Sequence, residues 1–83
     1  MLNNQEKLPI SDFYTVLNYQ TISRSSRWWS FIVLIKARNK KKIGLYLFQK
    51  KNDEWKRKHK FTISSREEYE DIKKVLGNYS KNL

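Results

Sequence analysis

Two short runs, WWSFIVLI (Trp28–Ile35) and IGLYLF (Ile43–Phe48), are apolar or aromatic at almost every consecutive position, and this limits what the chain can fold into more than any other feature. Both are rich in β-branched and aromatic residues and too short and continuous for an amphipathic helix, so both read as strands. Side chains alternate across a strand. Trp29, Phe31, Val33 and Ile35 therefore share one face while Trp28, Ile32 and Leu34 share the other. In the second run Ile43, Leu45 and Leu47 oppose Tyr46 and Phe48. With both faces apolar, both should be covered by something. Neither run approaches the ~20 residues needed to cross a bilayer, and no signal-peptide layout surrounds them, so the expected location is the cytoplasm, with no membrane partner.

The segments between and around these strands complete the outline. ARNKKK is a charged turn, and KKND is a second turn in which Asn52 and Asp53 tolerate positive φ. A third strand runs from about Glu54 to Ile63. Ser64 and Glu67 then have capping-box spacing, and Glu67, Glu68, Glu70 and Asp71 sit where a helix macrodipole favours acids. Tyr69, Ile72 and Leu76 form the expected buried stripe of that helix, and Gly77 its stop. Upstream, Ser11 caps and Ile10, Phe13, Val16 and Leu17 recur at helical spacing, which predicts a helix over 11–20. Residues 1–8 read as a flexible arm before one domain over 9–80. The predicted fold is α+β: an antiparallel three- to four-stranded meander with an N-terminal and a C-terminal helix, α-β-β-β-α, the helices packed on one face. At 83 residues such a core is thin.

The net charge of +10 is concentrated in the predicted sheet. Arg24, Arg27, Lys36, Arg38, Lys40, Lys41, Lys42, Lys50, Lys51, Lys56, Arg57, Lys58 and Lys60 are opposed there only by Asp53 and Glu54, and the rest of the chain is nearly neutral. A field of this size implies an anionic partner, nucleic acid being the commonest. Catalysis finds no support: the chain has one histidine, His59, which reads as an ordinary sheet residue, and no cysteine. With Gly44 and Gly77 its only glycines, it has no phosphate-cradling loop. No metal site and no cofactor are expected.

The third strand, EWKRKHKF, places Lys56, Lys58 and Lys60 on one face and Trp55, Arg57, His59 and Phe61 on the other. A three-residue bulged loop before it would join Lys56, Lys58 and Lys60 to Tyr46 and Phe48. A two-residue loop would instead join Trp55, Arg57 and His59 to them, and the sequence leaves both registers open. Either gives Tyr46 and Phe48 basic neighbours, the combination that single strands need: bases stack on rings while cations follow the phosphates. On the plainer alternative, the rings are core and the lysines a solvated exterior.

RWWSFIVLIKA, KKIGLYLFQKKNDEWKRKHKFTISSREE and the helix after them resemble the archaeal single-stranded-DNA-binding proteins called ThermoDBP and their shorter relatives. The likeness covers roughly residues 27–76: a tryptophan pair opening a strand, a lysine-rich turn, an LYLFQK strand, and EWKRK leading through serines into an acidic helix. It implies an α+β sheet with a cleft that takes in bases, and makes Trp28, Trp29, Tyr46, Phe48 and Trp55 base-contacting candidates. The order of strands and final helix is also similar, in topology only, to the positive-cofactor-four coactivators, which bind single strands as dimers.

The expectation is therefore a non-enzymatic, largely sequence-independent single-stranded-DNA-binding protein, with RNA as an alternative ligand and a homodimer as an open option. Its candidate interface is Arg27, Trp28, Trp29, Lys36, Arg38, Lys40, Lys41, Lys42, Tyr46, Phe48, Lys50, Trp55, Lys56, Arg57, Lys58 and Lys60. The rivals are a duplex-DNA or chromatin protein reading with a three-stranded sheet, and a protein-interaction module.

Overall fold

The structure, a computed structural model, describes residues 8–83. Four antiparallel strands lie in sequence order, β1 (Thr15–Arg24), β2 (Trp28–Ala37), β3 (Lys40–Lys51) and β4 (Glu54–Ile63), followed by one helix, α1 (Arg66–Ser80). β2, β3 and β4 form where the sequence places strands. The helix predicted over 11–20 is not seen: most of that stretch belongs to β1. Register shifts between Val16 and Asn18 and between Thr21 and Ser23 put Val16, Tyr19, Thr21 and Arg24 on one face. Those gaps of three, two and three residues break the alternation that marks a strand, and of the residues read as helical Ile10 and Phe13 lie before β1.

The two apolar strands pair face to face, with Trp29 opposite Phe48, Phe31 opposite Tyr46 and Val33 opposite Gly44. This aromatic face is the core. Trp29, Phe31, Val33, Ile35, Tyr46 and Phe48 are buried together with Leu8, and Ile10, Tyr14, Tyr19 and Trp55 pack around them. The rings of Phe31, Tyr46 and Phe48 lie within 19° of parallel, with centroids 5.5–5.8 Å apart. Each fully buried side chain contributes ~1.5–3 kcal/mol from burial, and stacked pairs add about 0.5–1.5 kcal/mol. The packed domain thus reaches back to Leu8, which the sequence reading assigns to the arm. The remainder of that arm, residues 1–7, lies outside the described residues.

The other face is aliphatic: Ile32, Leu34, Ile43, Leu45, Leu47 and Phe61 are exposed or half-buried, and of its residues only Ile63 is buried. Expectation and structure are reversed here. The single-strand reading expects Tyr46 and Phe48 to be open to bases; instead these rings are covered, by the segment before β1 and by their own rim.

α1 explains why the helix does not cover the aliphatic face. Its N-cap is Ser65, one residue later than predicted. Ser65 Oγ accepts from the Glu68 N–H at 3.0 Å, and Glu68 Oε1 accepts from the Ser64 N–H at 2.8 Å. The expected stripe of Tyr69, Ile72 and Leu76 is not buried, and no residue of α1 is. The helix also runs through Gly77 to Ser80, so Gly77 is no stop. Near its start, Tyr69 borders a hollow with Leu34, Ile43 and Ile63.

Candidate nucleic-acid interface

The β3–β4 loop is a two-residue turn. Lys51 pairs with Glu54 across Asn52 and Asp53, whose φ values of 52° and 64° are those these residue types tolerate. That register holds for the first half of β4, so Trp55 and Arg57 join Phe48 on the aromatic face. A shift between Leu47 and Phe48 then leaves Lys58 as an unpaired bulge residue, and beyond it Lys60, not His59, sits opposite Tyr46. Both registers allowed by the sequence are therefore used, one on each side of the bulge. Phe61 and His59 go to the aliphatic face.

The bulge at Ile22 in β1 acts in the same way. Strict alternation from Thr21 would send Arg24 to the aliphatic face, whereas the bulge brings it opposite Trp29. The two edge strands thus each swing a cation onto the aromatic face.

The result at the β3–β4 turn end is a ladder of rings and cations. The Arg24 guanidinium lies 4.0 Å from the Trp29 ring and 5.5 Å from that of Trp55, and Lys50 Nζ is 5.4 Å from Trp55. Trp29 and Trp55 meet at 5.5 Å and 58°, and Trp29 Nε1 donates to Thr21 Oγ1 at 3.1 Å. Trp55 is half-buried, so part of its ring meets solvent. Arg57 is exposed beside it, and Arg27 is brought near by the Lys50 N–H, which donates to the Arg27 carbonyl at 2.8 Å. Further along the face Lys60 Nζ lies 5.4 Å from the Tyr14 ring and 6.0 Å from Tyr46.

The candidate residues divide as follows. Lys40, Lys42, Lys50, Trp55, Arg57 and Lys60 share the aromatic face, with Arg38 at its β2–β3 turn end. Trp29, Tyr46 and Phe48 share it too, but they are 1–4% exposed, so as base-contacting rings they are corrected: they are floor, and Trp55 is the accessible ring. Trp28, Lys36, Lys41 and Lys56 fall on the opposite face, and Lys56 is bound there to Glu54 at 2.8 Å. That bond and the charge of Lys56 hold the Glu54 carboxyl below its ordinary value. Arg24, Tyr14 and Tyr19 are additions to the site. The helical reading of 11–20 conceals the two tyrosines, and only the β1 bulge reveals Arg24.

Among the described residues no three His, Cys, Asp or Glu side chains are placed to hold a metal ion, and no helix is long and apolar enough to cross a membrane. No family model matches the chain, and no curated protein and no solved structure matches it.

Proposed function

We propose that this protein binds single-stranded DNA along its aromatic face, without catalysis and largely without regard to sequence. The observation that carries the reading is the ladder of Arg24, Trp55 and Lys50 with Arg57 beside it: a partly open indole set among cations, on a face whose sheet residues include no carboxylate. An unpaired base can stack on that ring or on a guanidinium plane, while the remaining cations meet phosphates. A duplex hides its base faces and gains little from such a ring. If the cations of this face together neutralise about four phosphates, log affinity falls with log salt at a slope near −3.

The experiment is competition between single-stranded and duplex oligonucleotides at low salt, with wild type and Trp55→Leu. Single strands are preferred by wild type, and the variant loses ~1–3 kcal/mol for the stacked base. Duplex preference, or an unchanged affinity for Trp55→Leu, defeats the proposal.

The partner proposed for the aliphatic face is a second copy of the chain. An isolated helix of this length is marginal in water. α1 exposes Val75, Leu76 and Tyr79, and the aliphatic face surrounds an open groove of about 560 Å³ between Ile22, Ile32, Leu45, Leu47 and Phe61. The first turns of α1 carry Glu67, Glu68, Glu70 and Asp71, whereas Lys36, Lys41 and His59 stand on that face of the sheet. Laying each helix on its partner's sheet covers both apolar surfaces and opposes the helix acids to the sheet's bases, in an otherwise self-repelling chain.

A further inference from the structure

At the other end of the aromatic face, far from Trp55 along β3, lies a second basic and aromatic recess. It measures about 450 Å³ and is lined by Phe13, Ala37, Arg38, Asn39, Lys40 and Lys42. Three features set it apart from a chance surface hollow.

The first is Phe13 itself. It is 62% exposed, yet the chain on either side is fixed: Leu8 is buried in the core and Tyr14 packs against it. The Phe13 N–H donates to Ser11 Oγ at 3.1 Å, the Tyr14 N–H donates to the Ser11 carbonyl at 3.1 Å, and the two rings meet edge to face at 5.3 Å. A large apolar ring is thus held outward by its neighbours.

The second is Arg38. It occupies the first position of the two-residue loop between the paired residues Ala37 and Lys40, with φ of 59°. Left-handed backbone at that position ordinarily goes to glycine, and an arginine there is strained. Despite that strain the turn carries an arginine, which lines the same recess as Phe13.

The third is the placement of the lysines. Lys40 and Lys42 share the aromatic face with Lys50 and Trp55, while Lys41 between them faces away. Lys42 and Lys50 are eight residues apart on β3, a span of about 27 Å at strand rise. That length suits roughly four to eight nucleotides of one strand, within the site sizes of single-strand binders.

From these we infer that the recess is a second nucleotide subsite, in which a base stacks on Phe13 while Arg38, Lys40 and Lys42 hold the flanking phosphates of the strand whose other end lies at Trp55. The inference rests on the single-strand reading of the aromatic face and extends it from one stacking point to a track with two stacking ends.

The test is a length series of oligothymidylates, from a trimer to a 16-mer, titrated against wild type, Phe13→Leu and Arg38→Gly. The shortest strands reach only one end. Wild-type affinity rises where the strand becomes long enough to span both, and in Phe13→Leu that rise shrinks by roughly 5- to 150-fold, the range for one stacked base. Trimer binding at Trp55, read by tryptophan fluorescence, is unchanged. Arg38→Gly separates a binding role from a structural one: relief of the backbone strain raises its melting temperature while its long-strand affinity falls. A full length-dependent rise in Phe13→Leu overturns the subsite but leaves the Trp55 site standing. Absence of binding at every length in wild type overturns the single-strand reading itself, and the subsite with it.

Discussion

The two faces of this sheet are built from the same strands, and at neighbouring positions they differ in almost everything that matters. Phe31 is 1% exposed on the aromatic face and Ile32, the next residue, is 38% exposed on the aliphatic one. The aromatic face is floored by large rings, closed by Leu8 and the residues after it, and rimmed by cations. The aliphatic face has no such cover among the described residues. Stability and the proposed nucleic-acid binding are thus on one face, and the proposed pairing with a second copy is on the other. Half-burying a ring amid cations makes it at once part of the packing and part of the surface, as at Trp55, whereas an aliphatic side chain can do only the first.

Neighbouring substitutions put this contrast at risk. The largest effect is expected for Phe31→Ala, which removes a fully buried ring at a cost of about 3–5 kcal/mol and unfolds so small a domain. Ile32→Glu places a charge where the side chain is already wet. It should leave the urea midpoint of the monomer nearly unchanged, yet in sedimentation shift the protein from dimer to monomer. Equal loss of stability in the two variants would erase the distinction between the faces. An Ile32→Glu protein that sediments as wild type would remove the second copy from the aliphatic face.

The two glycines give a smaller effect. A Cβ at Gly44 would stand 2.5 Å from Tyr46 Cε1 and 3.3 Å from Val33 Cγ1, so the aromatic floor needs that position empty, and Gly44→Ala should destabilise by ~1–3 kcal/mol. Nothing lies within 4 Å of a Cβ at Gly77, in an exposed stretch of helix, and Gly77→Ala should strengthen α1 by about 1 kcal/mol. Thermal melts followed by circular dichroism check both signs. The smallest effect separates adjacent lysines. Replacing Lys40 and Lys42 with glutamine should flatten the salt slope of single-strand binding by about 0.7 for each phosphate no longer neutralised. Lys41→Gln, facing the other way, should leave the slope alone. Were Lys41 to matter as much, the nucleic-acid path would cross to the aliphatic face.

Much of this arrangement is legible in the chain. The two-faced runs mark β2 and β3, the Asn52–Asp53 pair marks its turn, and acids after a serine pair mark the start of α1 to within a residue. What stays hidden in the strands has one physical origin. A bulge adds a residue without a sequence mark of its own, and each one reverses every side chain beyond it. In β1 the bulges remove the alternation that would mark a strand; in β4 one bulge decides whether His59 or Lys60 meets Tyr46. The covering of the rings is hidden for a different reason: Leu8, Ile10 and Tyr14 reach the core through a short irregular segment, which has no period to detect. The candidate cations are legible as a set, but their division between faces is not, because it depends on those same bulges.

The bulges also bear on how copies of this chain can meet. β1 and β4 are the open edges of the sheet, and each presents a row of backbone donors and acceptors to any other strand in solution. Edges of ten residues are long enough to template intermolecular pairing, the route to open-ended aggregation. Here one edge is interrupted at Leu17 and Ile22, and the other at Lys58 within a run of charged side chains, so neither offers an unbroken ladder. Irregularities that place Arg24 and Lys60 on the aromatic face thereby also deny the edges to a neighbour. The proposed dimer meets through its faces, where association is bounded, and leaves unused the edges, where it is not.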